Sequence, residues 1–292
     1  MATTDRFTAL LADLLPPRAP SGDEGPLRAI LAAHLEAMGA EVEVDPVGNL
    51  GARRGEGGSL VLLALDEPTF AATGAGPDGR GAAALGTALP PQDLDGHVVQ
   101  SREGGKAVLR AGERGLLLDP LVGSPEPGTV FTYSAQRQAV GEHLVGPGIG
   151  TRTLQAATLA ALAGLPDFTL VALARTGIAA RGGQEFLFRL RRPVGVALDA
   201  VLEEDGSEMG AGPLEFARAA GYARPAPLAG LSGVRCLVRA QEPVLASLLL
   251  PAGILVRSLA LAVRYRGGDR ERLHIQDAVR LVELLQSALS PS

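Results

Sequence analysis

The stretch SLVLLALDEPTF, residues 59–70, reads as a buried strand that ends in two acidic residues, Asp66 and Glu67. Its first seven residues form a nearly unbroken apolar run, which is typical of a strand covered by helices on both faces. In α/β enzymes, carboxylates at the end of such a strand often bind a metal ion. The stretch therefore predicts an α/β fold and directs the search to further metal ligands.

The flanking segments continue an alternation of helices and strands. Residues 4–15 and 24–38 carry apolar positions at helical spacing, and EVEV at 41–44 alternates with the period of a strand. Beyond position 150 the patterns predict helices over 152–163 and 275–289 and strands over 168–174, 185–190 and 194–200. The fold class predicted is an α/β/α sandwich of helices around a mixed sheet.

The segment from about residue 70 to 147 has a different pattern. Short β-like runs such as KAVLR, GLLLD and TVFTYSA are separated by glycine and proline clusters, and each run is too short for a helix. This pattern predicts a small, β-barrel-like insert domain over residues 70–147. The insert divides the α/β domain into residues 1–69 and 148–292 of the chain.

Composition excludes several classes of function. A net charge of −5 gives no basic surface for nucleic acid, and no window reaches the roughly 18 uninterrupted apolar residues of a membrane helix. The single cysteine, Cys236, excludes an internal disulfide framework and predicts a cytoplasmic location. The four histidines, His34, His97, His143 and His274, form no closely spaced pair, so we expect no metal site among them.

Several motifs in order resemble one enzyme family. The segment APSGDEGPLRAILAAHLEAMGAEVEVDPVGNL, residues 19–50, has the family's serine-glycine turn at Ser21, its amphipathic helix and its aspartate-x-x-glycine-asparagine turn at Asp45. The later segments LVGPGIGTRTLQAATLAAL, ARTGIAARGG, VALDAV and AVRYRGGDRERLHIQDAVRLVELL continue the resemblance. The family is the dinuclear metallo-aminopeptidases that form tetrahedral assemblies. It includes glutamyl and deblocking aminopeptidases and proteins called endoglucanases.

The resemblance implies two divalent ions, such as zinc, cobalt or manganese, and a glutamate that deprotonates the attacking water. The resemblance places other residues at most of the positions that carry these groups in the family. They are Ala64 for the first histidine, Gly150 for the bridging aspartate, Ala174 and Arg175 for the adjacent glutamates that serve as base and ligand, and Gly267 for the last histidine. Asp199 is the one family ligand that remains, and the family's Arg152 is also present. One carboxylate does not hold an ion that takes four ligands, so the sequence predicts no metal, no cofactor and no catalytic residue.

The remaining charged residues are candidates for binding a ligand in the former active-site cavity: Asp66, Glu67, Arg152, Arg175 and Asp199. Arg175 stays protonated, so we expect it to pair with Asp66 or Asp199 and neutralise carboxylates that a metal would otherwise neutralise. For Asp66 and Glu67 themselves, a retained structural turn is favoured over an acid and base pair, because adjacent residues at a strand end point to opposite sides.

Three functions remain open from the sequence. The first is a non-catalytic protein that forms a homo-oligomer or joins and modulates an active relative. The second is an active peptidase whose site is completed by other residues or by a partner chain. The third is a protein that binds an anionic or peptide-like small molecule.

Overall fold

The computed structural model describes residues 3–289 apart from nine gaps, at 57–59, 76–79, 88, 114, 179–180, 190–195, 204–207, 219–234 and 240–254. The side chains of residues 187–207 and 215–257 lie outside the described part as well.

One large mixed sheet forms the centre of the molecule. Its strands are β1 (Glu41–Val44), β2 (Leu50–Arg54), β3 (Leu60–Ala64), β10 (Gln138–Val140), β11 (His143–Val145), β12 (Phe168–Leu173), β13 (Val196–Glu203), β14 (Leu214–Arg218), β15 (Arg235–Arg239), β16 (Leu255–Arg264) and β17 (Arg272–His274). The order is β1-β2-β12-β3-β13-β16-β17-β11-β10, and β14 pairs with both β15 and β16. The opening apolar run is β3, which lies between the parallel neighbours β12 and β13.

Helices pack against this sheet. They are α1 (Thr3–Leu14), α2 (Gly25–Ala37), α4 (Ile149–Leu162), α5 (Arg181–Arg189) and α6 (Ile275–Leu289), whereas the short helix α3 (Pro91–Leu94) packs against the strand Lys106–Gly112. The helix α4 is buried along nearly its whole length because α1 and α6 both pack against it. Phe7, Leu159 and Leu281 represent these three helices in one hydrophobic core that extends to the sheet. The predicted α/β fold is therefore confirmed.

A closed six-stranded barrel lies beside the sheet. Its strands are β4 (Thr69–Ala72), β5 (Gly81–Leu85), β6 (Val98–Ser101), β7 (Lys106–Gly112), β8 (Gly115–Val122) and β9 (Val130–Tyr133), in the order β4-β5-β8-β7-β6-β9. Phe70, Leu109 and Tyr133 belong to its separate core. The barrel ends at Tyr133, and the next two strands, β10 and β11, already pair with the large sheet through β17.

The strand predicted over residues 185–190 is wrong, because residues 185–189 belong to helix α5, and residue 190 lies outside the described residues. Strands β12 and β13 both run parallel to β3 and lie on opposite sides of it. A chain that joins two parallel strands must cross back over the sheet, and a helix usually makes that crossing.

None of the helices in the described part of the chain has the length and apolar character needed to span a membrane.

Candidate functional site

The candidate site lies at the carboxyl ends of β3 and β12. Ala64, the last residue of β3, pairs in register with Leu173, the last residue of β12. Ala174 and Arg175 follow directly, so the sequence-predicted positions from both strands are neighbours. Binding crevices of α/β sheets form at this end of the strands.

Asp66 is buried, and its carboxylate is bound by uncharged donors. It accepts hydrogen bonds from the hydroxyls of Ser21 and Thr176 and from the backbone N–H of Gly177 at 2.8 Å. Ser21 belongs to the serine-glycine turn of the family resemblance. Its hydrogen bond to Asp66 explains why a serine stands at that position. Both oxygens of Asp66 are thus occupied by protein donors.

Arg175 does not pair with Asp66, one of the two partners that the sequence predicts for it. Its backbone N–H donates to Glu24 Oε1 at 2.8 Å, and the residue lines a cavity of about 230 Å³ that Arg28 also lines. No ion pair joins Arg175 to Asp66 in the part of the chain that the structure describes, so that predicted pairing is wrong. The physical reason is that Asp66 obtains its hydrogen bonds from the nearby turns. The backbone of Arg175 has φ of 55°, a strained conformation of the kind found at functional sites.

Asp199 lies in the middle of β13, where its backbone pairs with Leu62 on β3 and Ser258 on β16. Its side chain lies outside the described residues, so its predicted roles as a remaining ligand and as a partner of Arg175 stay predictions.

Glu67 has a separate set of partners from Asp66. Its Oε2 atom accepts from Arg137 and from Arg152 at 2.9 Å, and its Oε1 atom accepts from the backbone N–H of Ala19 at 3.2 Å. Arg152 is completely buried, and its desolvation lowers its pKa to about 10 although Glu67 acts in the opposite direction. Glu67 is therefore the counter-charge that makes burial of two guanidiniums tolerable.

Glu271 joins two of the positions that the resemblance assigns to family metal ligands. Its Oε1 atom accepts from the backbone N–H of Gly150 at 2.6 Å, and its Oε2 atom accepts from that of Gly267 at 2.9 Å. The side chain is only 1 % exposed. Gly150 is in the first turn of α4, where a carboxylate also interacts favourably with the helix dipole. One carboxylate thus connects the first turn of α4 with the turn between β16 and β17.

Sequence reasoning missed Glu271 and Arg137. Neither residue falls on a family ligand position, and their partners lie 121 and 70 residues away along the chain. His143 and His274 were also missed as a pair, although their rings are 5.1 Å apart across β11 and β17. No local pattern in the sequence marks these contacts.

Tyr133 connects the barrel with the turn between β16 and β17 of the large sheet, which contains Gly267. Its hydroxyl donates to the carbonyl oxygen of Gly267 at 2.9 Å, and the residue is 2 % exposed. Burial raises the pKa of Tyr133 above its usual range, and the charges of Asp269 and Glu271 add to this effect. The folded protein therefore holds the phenol in its neutral form.

This shift predicts a loss of stability at alkaline pH. Above pH about 10 the phenol ionises in the unfolded chain but not in the folded one, so stability falls as pH rises, by up to about 1.4 kcal/mol per pH unit. Tyr133→Phe is expected to remove this contribution, which urea unfolding at pH 9, 10 and 11 would measure. Tyr265→Phe, at a tyrosine that is 62 % exposed, is the control. Equal alkaline slopes in the wild type and Tyr133→Phe would contradict the assignment.

Comparison with solved structures identifies the architecture. The chain superimposes on an aminopeptidase from the archaeon Desulfurococcus kamchatkensis with a TM-score of 0.82 at 18% identity, covering 100% of this chain and 96% of the other. For the Pyrococcus horikoshii TET1 peptidase the TM-score is 0.80 at 19% identity, with 98% and 100% covered. For a TET aminopeptidase from a marine sediment Thaumarchaeota archaeon it is 0.81 at 17%, with 99% and 97% covered.

The chain has the fold of the TET aminopeptidases. No family model matches the sequence, and no curated protein matches it either. The predicted resemblance is thus confirmed for the fold, over essentially the whole chain.

The described residues do not fit the two divalent ions that the TET aminopeptidase resemblance implies. No group of three or more histidine, cysteine, aspartate or glutamate side chains able to hold a metal occurs in the described part of the chain. The acidic side chains around the positions that the resemblance assigns to metal ligands, Glu24, Asp66, Glu67 and Glu271, all bond to donors of the protein itself. We therefore derive no reaction step through a metal ion.

Proposed function

We propose that the chain is a non-catalytic protein with the TET aminopeptidase fold, which neither binds two divalent ions nor hydrolyses N-terminal peptide bonds. The observation that carries this proposal is the position of Glu271. Its carboxylate bonds to the backbone of Gly150 and Gly267, the two positions that correspond to the bridging aspartate and the last histidine. The loops that a metal pair would connect are already connected without one.

The assembly of structural neighbours supports a role in association. The Pyrococcus horikoshii TET1 peptidase assembles into a tetrahedron or a large octahedral shell. We propose that this chain forms a homo-oligomer as well, and that co-assembly with an active relative allows it to modulate that relative. The single cysteine favours a cytoplasmic setting for such an assembly.

Metal content tests the proposal most directly. The purified chain would be incubated with zinc, cobalt and manganese, freed of excess ions and analysed by elemental mass spectrometry. We expect fewer than about 0.1 ion per chain, because a stable site needs a complete set of ligands. A metal-dependent aminopeptidase of the same fold, treated in parallel, is the positive control.

Activity assays on aminoacyl p-nitroanilides complete this experiment. Turnover by the purified chain should not exceed the buffer blank. One or two tightly held ions together with turnover that a chelator abolishes would overturn the proposal and favour the active-enzyme alternative. Turnover that appears only on mixing with another chain would favour a site completed by a partner.

A further inference from the structure

A cavity of about 320 Å³ lies where the end of α1, the end of β9 and the segment leading to α4 meet. Its walls include Leu15, Arg18, Tyr133, Gln136, Arg137 and Pro147. None of the residues at the former metal-ligand positions lines it. The volume is at the lower end of the range of small-molecule sites.

Among the described residues that line this cavity, Arg18 and Arg137 are charged and none is acidic. Arg137 and Arg152 both bond to Glu67, and the charges of Glu67 and Arg137 both act on Arg18. Asp66 is the other carboxylate whose charge acts on Arg152. The two arginines of the cavity wall therefore share the carboxylate of Glu67 with the buried Arg152, and their positive charge is only partly balanced.

The hydrogen bonds show which of the two guanidiniums at the cavity has N–H donors without an acceptor. Arg137 uses Nε and both terminal nitrogens on the carbonyls of Pro147 and Leu15 and on Glu67. Arg18 donates from Nη1 alone, to Thr132 Oγ1 at 3.0 Å and to the carbonyl of Tyr133 at 2.7 Å. Its Nε and Nη2 atoms have no acceptor in the part of the chain that the structure describes. These two nitrogens form the fork that matches a carboxylate or phosphate.

Arg18 is only half-buried, so water still reaches this unused fork. Desolvation lowers the pKa of Arg18; Glu67 raises it, and the like charge of Arg137 lowers it. An anion in the cavity would supply both the missing acceptors and the missing negative charge. The apolar wall at Leu15 and Pro147 would contact a short hydrocarbon part of such a ligand.

We propose that this cavity is a binding site for a small oxyanion, a carboxylate or a phosphate group, held by the Nε and Nη2 atoms of Arg18 beside Arg137. The site is separate from the positions that the resemblance assigns to metal ligands, so a ligand could bind there whether or not the chain is catalytic.

Isothermal titration calorimetry of the full chain in a chloride buffer of low ionic strength tests the site, with glutarate and inorganic phosphate as separate probes. We expect one of them to bind at one site per chain with a Kd of about 1 mM or tighter, as charge-assisted arginine contacts allow. Saturation by glutarate would assign a carboxylate ligand, and saturation by phosphate a phosphate group.

Arg18→Gln should weaken this binding by at least about tenfold, because a bidentate charged contact is lost. The matched control is Arg110→Gln, which removes the same charge from a half-exposed position on the barrel and should change the Kd by less than about twofold. Arg18→Lys keeps the charge without the fork and should give an intermediate Kd.

Equal weakening in Arg18→Gln and Arg110→Gln would overturn the proposal, because it would show a response to net charge alone. Absence of saturable binding of both probes to the wild type would overturn it as well, whether or not the variants fold. Neither result depends on the metal content of the chain, so this test can fail while the proposed function stands.

Discussion

Glu67→Gln is expected to lower the free energy of unfolding by about 3–5 kcal/mol, the usual result of removing one partner from a buried ion pair. The side chains of Glu67, Arg152 and Arg137 are 3 %, 0 % and 7 % exposed, so water cannot replace the lost carboxylate. Glutamine is of almost the same size and keeps a carbonyl acceptor. The loss would therefore report charge and not packing.

Urea denaturation monitored by far-UV circular dichroism measures this effect. The control is Glu142→Gln, because the Glu142 side chain is 83 % exposed and its contact with His274 is at the surface. That variant should differ from the wild type by less than about 0.5 kcal/mol. A loss below about 1 kcal/mol in Glu67→Gln would show that Arg137 and Arg152 do not depend on this carboxylate.

The sheet could be predicted from the sequence because its strands carry local signals. The apolar run of β3 and the run that became β12 are each bounded by turn residues, and both were assigned correctly. The segment of α5 was not, since its alternating apolar residues also fit a strand. Its conformation depends on the parallel arrangement of β12 and β13, which a local pattern does not contain.

The candidate site was predictable to a smaller extent. The acidic pair after β3 was found because it ends a buried strand, and the former ligand positions followed from the family resemblance. The partners of Asp66 and Glu67 were not found. Loop geometry gives Asp66 uncharged donors from the nearby turns and gives Glu67 the guanidinium of Arg137. The backbone at Arg175 also has a positive φ that no sequence rule indicates. The geometry of such a site depends on hydrogen bonds between residues that lie far apart in the sequence.

Glu271→Gln is the second change with a large expected effect, a loss of about 2–3 kcal/mol in the free energy of unfolding. A glutamine side chain has one acceptor oxygen, so its amide nitrogen would face the N–H of either Gly150 or Gly267 and leave that donor unsatisfied. Thermal and urea unfolding measure the loss. Amide hydrogen exchange at the two glycines should become faster, because their N–H groups lose a buried acceptor.

The melting temperatures of the wild type and Glu271→Gln, each measured with and without zinc, show whether Glu271 can bind a metal ion. Glu283→Gln, at an exposed position of α6, is the control and should be neutral. If Glu271 serves as a connector between loops, zinc should leave the melting temperature of the wild type unchanged. If it were instead a ligand that releases the glycine amides to bind a metal, zinc would stabilise the wild type and not Glu271→Gln, because an ion that binds the folded state raises its stability. A zinc-dependent increase confined to the wild type would therefore contradict both the connector role and the non-catalytic assignment that rests on it.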